Sequence, residues 1–359
     1  MGSAAPATGP GLKGEVLLIA FPGPHNEEWV TELKAAHPDL EVRWVTHSIA
    51  SPPTSFPPEI YADVTLLAGF WPIPAAAVPK LRYVQLFSAG ADRWIDSDLY
   101  KNPKITFCTA NGAHAPQIAE WVIGNWLMAT HHFLPWAAAQ KEAKGTRITN
   151  FASDSPGLRM GILGYGAIGR HAARLGQALG MEVYAHTRSE KATPESRKDD
   201  SYCVAGTGDP DGLIPTKWFH GSSKAAVNDF LSQDIDLLVL SLPLTKESHH
   251  ILSAEQFEIL SKKKTFVANI ARGQHIDTDA LLVALREGKI RGAALDVTDP
   301  EPLPEGHELF TAPNVFITPH ISWQSAHLGD RLQKIVSTNL EKLGKGEALI
   351  NLMNREHHY

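Results

Sequence analysis

Short apolar runs alternate with longer amphipathic ones along this chain. Residues 16–21, 42–45 and 64–68 read as strands, and 26–36 between the first two has helical spacing. A second set begins at Met160 and continues through 183–185, 237–242, 265–270, 293–297 and 315–318. Strands separated by helix-length segments predict two successive parallel α/β sheets. Between the sets, 116–144 has no proline before Pro135 and spaces Ile118, Val122, Trp126 and Ala129 at helical intervals, which predicts one long helix bridging two lobes. Residues 326–343, with Leu328, Leu332, Ile335, Val336 and Leu340 on one face, predict a helix that returns the chain to the first lobe. The expected architecture is therefore two Rossmann-like or flavodoxin-like lobes with parallel sheets and a cleft between them, the first lobe discontinuous in sequence.

Composition narrows the class. The 359 residues suit two domains or one large one. A net charge of −6 gives no electrostatic footprint for nucleic acid, and the one dense basic run, Lys262 to Lys264, reads as a solvated loop. Two cysteines, Cys108 and Cys203, are too few for a disulfide framework and form no CxxC pair, so a reducing, cytoplasmic location is expected. The early apolar run 16–21 is stopped by Pro22-Gly23-Pro24, too short for a signal-peptide core or a membrane span, and the last four residues match no targeting signal. Residues 1–14 are expected to be a disordered leader. The polar stretch 190–230 is expected to be an inserted surface segment, partly mobile.

The strongest local signal is Gly164-Tyr165-Gly166-Ala167-Ile168-Gly169, between a strand and a helix and followed by a second strand at 183–185. Gly164 and Gly166 permit a tight turn and close approach of a pyrophosphate to backbone N–H groups, and Gly169 lets the helix pack on the strand. A glycine-rich turn without a ligand is the alternative, made less attractive by the complete strand–helix–strand context. The tip of the second strand reads His186-Thr187-Arg188-Ser189, without the carboxylate that would accept ribose hydroxyls. Arg188 with the Ser189 or Thr187 hydroxyl suits a 2′-phosphate, so NADP(H) is preferred and NAD(H) remains possible. An exposed arginine opening a polar loop is the alternative.

Three residues follow apolar strands of the second set: Arg272 in Ala271-Arg272-Gly273, Glu301 in Pro300-Glu301-Pro302, and His320 in Pro319-His320. Each is placed at the carboxyl edge of the sheet, where open α/β folds bind ligands. Singly, they also read as a helix-entry ion pair, a loop acid and a core histidine. Together they suit reduction of a 2-keto acid. Arg272 binds and polarises the substrate, His320 delivers a proton to the carbonyl oxygen, and Glu301 holds the imidazole and favours its charged form. No metal is expected, because the His pairs 131/132, 249/250 and 357/358 lack ligand spacing.

These motifs, in this order, together with Ser88-Ala89-Gly90-Ala91-Asp92, resemble the D-isomer-specific 2-hydroxyacid dehydrogenase family from about residue 15 to 343. The resemblance implies Arg272, Glu301 and His320 as the catalytic set, acting on the CH–OH group of a D-2-hydroxy acid or reducing the corresponding 2-keto acid, with glyoxylate or hydroxypyruvate as the leading substrates. It implies a substrate-binding domain over 15–116 and 321–359 and a dinucleotide-binding domain over 117–320. Backbone N–H groups of Ser88, Ala89 and Gly90 would cap the substrate carboxylate. Leu242 and Pro243 would line the adenine side, Ile270 and Ala271 would lie near the nicotinamide, and Asp296 would pair with its carboxamide. A homodimer through the cofactor lobes is implied, with Trp121, Trp126 and Trp136 suited to the interface, burial within one chain being the alternative. The chain departs from the family after the histidine, at Ile321-Ser322-Trp323-Gln324, where Trp323 is expected to wall the substrate pocket, a packing residue at the lobe junction being the alternative. A dinucleotide-sensing corepressor on the same fold is the alternative function.

Overall fold

A computed structural model describes residues 11–47, 57–145 and 151–355. Residues through Ala113, with those from Ala326 onward, make one compact unit, and His114–Ser325 makes the second. In chain order the first unit opens with β1 (Val16–Phe21), α1 (Glu27–Ala36), β2 (Glu41–Thr46), α2 (Pro58–Tyr61), β3 (Leu66–Gly69), β4 (Tyr83–Leu86), α3 (Asp98–Lys101) and β5 (Thr106–Cys108). The second comprises α4 (Ala115–Thr130), α5 (Phe133–Lys141), β6 (Arg159–Leu163), α6 (Ala167–Ala178), β7 (Glu182–Thr187), α7 (Pro194–Arg197), β8 (Lys217–His220), α8 (Lys224–Leu231), β9 (Leu237–Leu240), α9 (Ala254–Ser261), β10 (Phe266–Asn269), α10 (Thr278–Arg286), β11 (Gly292–Leu295) and β12 (Val315–Ile317). The chain then returns to the first unit with α11 (Leu328–Lys345).

All strand pairs are parallel. The first sheet runs β2-β1-β3-β4-β5, the flavodoxin-like order, and the second β12-β11-β10-β9-β6-β7-β8, the doubly wound Rossmann order extended by one strand. Such sheets are buried on both faces, which is why their strands read as apolar runs rather than alternations. In β9, Leu238 and Leu240 enter one core with Phe230 and Phe257, while Leu237 and Val239 enter the other with Trp126 and Phe266. Helix α1 starts where Asn26 accepts from the Trp29 N–H, with Glu27 and Glu28 in its first turn favouring the positive end of the helix.

Three expectations change. The predicted 116–144 helix is two helices, because His132 adopts a left-handed backbone (φ 58°) and Pro135 has no N–H for the carbonyl four residues back. Residues 1–10 of the expected leader lie outside the described residues. Residues 11–14, however, are tied down: the Gly11 N–H donates to Gly344 O at 3.0 Å and Leu12 is buried.

The third change concerns 190–230, which is no loose excursion. It supplies edge strand β8 and the start of α8, and its middle is clamped onto α6. Buried Asp209 accepts from the Tyr165 hydroxyl at 2.8 Å and from the Leu213 and Ile214 N–H groups. Arg170 donates to Asp209 O and Arg197 O and sits 3.2 Å from the Asp199 carboxylate, while Arg174 donates to Gly208 O. Most of the segment is exposed, as expected of a surface insertion, but its middle is pinned through buried Asp209 and the arginines of α6.

Candidate active site

The glycine loop leaves β6 at the point where strand order reverses, between β6 and β9. Gly164 has φ 100°, and a Cβ there would lie 2.7 Å from the Leu242 N atom, so only glycine allows the β6 and β9 ends to close together. Its carbonyl accepts from the Ser241 hydroxyl at 2.6 Å, and its N–H donates to His186 O on β7. A Cβ on Gly169 would lie 2.6 Å from Gly164 O, the close packing its motif position predicts. Beside Gly166, by contrast, none of the described residues lies within 4 Å of where a Cβ would stand, and none of their side chains caps the first turn of α6, whose N–H groups begin at Ala167 and Ile168. Open space against uncapped helix N–H groups fits a pyrophosphate. The Tyr165 side chain turns inward to Asp209, leaving its backbone to the loop.

At the β7 tip, burial, with His220 adding, pushes the His186 imidazole down to about 4, so the ring is neutral at pH 7. Exposed Arg188 is the cation there, next to Ser189, whose carbonyl accepts from the Thr187 hydroxyl. Leu242 and Pro243 follow β9 directly, with Leu242 half-buried and Pro243 exposed. Ile270 and Ala271 are buried at the end of β10.

Beyond β10 and β11, Arg272 and Glu301 are set by interlocked turns. Asn269 donates from its side-chain amide to Arg272 O at 2.9 Å and accepts the Ala271 N–H, and the Arg272 N–H donates to Nδ1 of buried His275 at 3.2 Å. A Cβ on Gly273 would fall 1.9 Å from Thr298 O, so the arginine turn presses directly on the segment leading to Glu301. His320 follows β12 with φ 55°, and its Nδ1 lies 2.6 Å from Glu301 Oε1, both side chains being partly open to solvent. Burial alone would raise the Glu301 carboxyl. The His320 hydrogen bond and charge, a Thr298 backbone donor and nearby Arg272 outweigh it and hold the carboxyl below its ordinary range. The structure thus brings Glu301 and His320 into contact, with Arg272 close enough for its charge to act on Glu301.

The lowered carboxyl has a consequence for stability. Glu301 contributes above its unfolded value, near 4.5, and the contribution disappears as pH falls through the lower folded value. Urea unfolding should find Glu301→Gln less stable than wild type at neutral pH, with the gap narrowing as pH falls below the ordinary carboxyl range. A gap independent of pH would contradict the assigned pairing.

Asp296 is buried and its carboxylate organises the His320 turn, accepting from the Thr318 hydroxyl at 2.6 Å, the Ile321 and Ser322 N–H groups, and the Ser322 hydroxyl. This anchoring, like that by Asn269 and His275, was missed in the sequence. A buried Asn three residues before an arginine was the available signal. In the first unit, Ser88, Ala89 and Gly90 follow β4, where the Ser88 hydroxyl closes the turn by donating to Gly90 O at 2.6 Å. Of the tryptophans expected at an interface, Trp126 is fully buried in its own unit, donating to the Ser155 hydroxyl and packing on Phe266. Trp121 is packed against the same core, whereas Trp136 is 40% exposed beside Phe133 and Leu134 on α5.

A Rossmann-ordered sheet with this loop at its switch point defines a dinucleotide-binding α/β protein. Comparison with known proteins matches residues 123–206 and 215–322 to the D-isomer specific 2-hydroxyacid dehydrogenase, NAD binding domain family. The chain is 30% identical over 285 residues to a glyoxylate reductase of Aeropyrum pernix, spanning 77% of this chain and 78% of that protein. It is 34% identical over 203 residues to a glyoxylate reductase of Thermococcus kodakarensis, spanning 56% and 54%. Among solved structures, a D-isomer specific 2-hydroxyacid dehydrogenase from Xanthobacter autotrophicus, in complex with NADPH and MES, superposes with a TM-score of 0.74 at 26% identity, over 96% of this chain and 99% of that one. The chain belongs to the D-isomer specific 2-hydroxyacid dehydrogenase family and is an NAD(P)-dependent dehydrogenase.

Proposed function

We propose that the protein reduces a small 2-keto acid of the glyoxylate or hydroxypyruvate class to the D-2-hydroxy acid, with NADPH preferred. The observation that carries this reading is the 2.6 Å contact between His320 and Glu301, with Arg272 beside it, in a unit that also holds the glycine loop. A bound nicotinamide supplies the hydride. Arg272 holds and polarises the substrate, so that charge developing on the carbonyl oxygen meets a fixed cation. His320 gives that oxygen its proton, and Glu301, 2.6 Å from Nδ1, keeps the imidazole oriented. The second unit serves as the dinucleotide-binding domain, with Gly164–Gly169, Leu242, Pro243, Ile270, Ala271 and Asp296 on the cofactor. The first unit serves the substrate, its Ser88–Gly90 backbone assigned to the carboxylate. The glyoxylate reductase relatives favour an enzyme over a dinucleotide-sensing corepressor.

Purified protein offered NADPH with a panel of 2-keto acids should oxidise the cofactor with glyoxylate or hydroxypyruvate. Absence of turnover across the panel, with cofactor binding demonstrated, would overturn the reading. Arg188 with Ser189 supports the NADPH preference, because a 2′-phosphate meets a cation and a hydroxyl where an acid would repel it. Arg188→Asp should move the ratio of kcat/KM for NADPH to that for NADH toward NADH by about tenfold or more, equal to about 1.4 kcal/mol. An unchanged ratio would reject the phosphate assignment. The exposed Phe133, Leu134 and Trp136 on α5, at 55%, 44% and 40%, support a homodimer through this unit. Light scattering tests it, with the 39.2 kDa chain mass as the contrary result.

A further inference from the structure

His320 occupies a backbone conformation that costs a residue with a Cβ about 1–2 kcal/mol, so its surroundings must hold it there. Asp296 secures much of the turn: its carboxylate takes the N–H groups of Ile321 and Ser322 and the hydroxyls on either side, and its main-chain carbonyl takes the His320 N–H at 2.8 Å. The His320 carbonyl is held from elsewhere. The Trp323 indole N–H donates to it at 2.7 Å, and the Trp323 carbonyl accepts in turn from the Gln117 side chain at 2.6 Å. Gln117 lies on α4 and the whole relay lies within the second unit. Trp323 is partly buried against the core that contains Trp126 and Phe266, so its ring is fixed by packing while its single donor is committed to the turn. The segment matched to the family ends at residue 322, one short of this tryptophan.

We infer that Trp323, seated by Gln117, is a positioning residue for His320: its N–H fixes the His320 carbonyl and thereby keeps the imidazole Nδ1 on the Glu301 carboxylate. This rests on the proposed role of His320 as proton donor and gives Trp323 a task other than walling the substrate pocket. The relay acts on orientation, so its loss should slow proton delivery without weakening cofactor binding. A loosened catalytic group costs rate steeply, because a displacement of about 1 Å can lower it roughly 100-fold.

Trp323→Phe keeps an aromatic ring in the core and deletes the donor, while Gln117→Leu cuts the outer link. With glyoxylate and saturating NADPH, Trp323→Phe should lower kcat about tenfold or more while KM for NADPH stays within about twofold. The solvent deuterium isotope effect on kcat should rise as proton transfer becomes slower. Gln117→Leu should show a smaller loss in the same direction. Wild-type kcat and isotope effect in both variants, with only the melting temperature lowered, would overturn the inference and leave the proposed function standing. If Trp323→Phe does not fold, unchanged kcat in Gln117→Leu alone overturns it. Wild-type protein inactive toward every 2-keto acid would instead remove the proposed function itself.

Discussion

Replacing His320 with glutamine is expected to lower the rate of 2-keto acid reduction by about 10²- to 10⁴-fold, the range removed when a general acid is lost. The reason is chemical rather than structural. A glutamine amide can still donate to Glu301, so the carboxylate 2.6 Å away keeps a partner and the turn anchored by Asp296 is retained. What disappears is the imidazole, the group in the pair assigned to give the substrate oxygen its proton. NADPH affinity, read by fluorescence titration, should stay within a few-fold of wild type. Parallel loss of cofactor affinity and rate would mean that His320 supports the cofactor site rather than the reaction.

Arg272→Ala should be nearly as damaging but in a different parameter. An arginine that meets negative charge on the reacting carbonyl stabilises the transition state more than the free substrate. Its removal is expected to lower kcat/KM for the keto acid about 10²- to 10³-fold, close to 3–4 kcal/mol. The fold should tolerate the change because the surrounding turn is held through the backbone: Asn269 binds Arg272 O and His275 binds the Arg272 N–H. Steady-state kinetics with glyoxylate, alongside thermal unfolding, checks both halves. An unchanged kcat/KM would remove the guanidinium from the reaction, and a protein that fails to fold would show that it has a structural task.

Much of this was readable before any coordinates. Parallel strands covered on both faces must be apolar throughout, so β1, β6, β9, β10 and β11 announce themselves as uninterrupted runs, and the glycine spacing after β6 marks the switch point. The strands that escaped notice had reasons to be inconspicuous. β4 carries Gln85, a buried polar residue that bonds Tyr83 Oη and Asn339 inside the first unit. β5 is three residues long, and β8 is an edge strand with Lys217 and His220 exposed at its ends. The segment around Asp209 read as solvated because its charges are visible in sequence while their partners on α6 are not. The break at His131-His132 was hidden for a related reason: a left-handed residue leaves no mark in hydrophobic spacing.

The candidate site divides similarly. Arg272 and His320 stand three residues past β10 and β12, and Glu301 lies in the turn that follows β11, places that sequence order can locate. The devices that aim them need long-range contacts. Asp296 bonds residues more than twenty positions away, and Gln117 reaches Trp323 across 206 positions. No local pattern contains such a pair. A tryptophan after the histidine therefore reads most simply as a pocket wall, although its indole N–H is turned onto the His320 carbonyl.

In the proposed reaction a bound nicotinamide would supply a hydride to the keto carbon, and His320 would protonate the adjoining oxygen. The most direct measurement is to supply hydroxypyruvate with NADPH deuterated at the transferred position and to analyse the product by mass spectrometry and chiral chromatography. The expected product is a D-2-hydroxy acid with one deuterium at C2, formed by wild type and at least about 100-fold more slowly by His320→Gln. A product of L configuration, a product without deuterium, or an equal rate from the variant would contradict it.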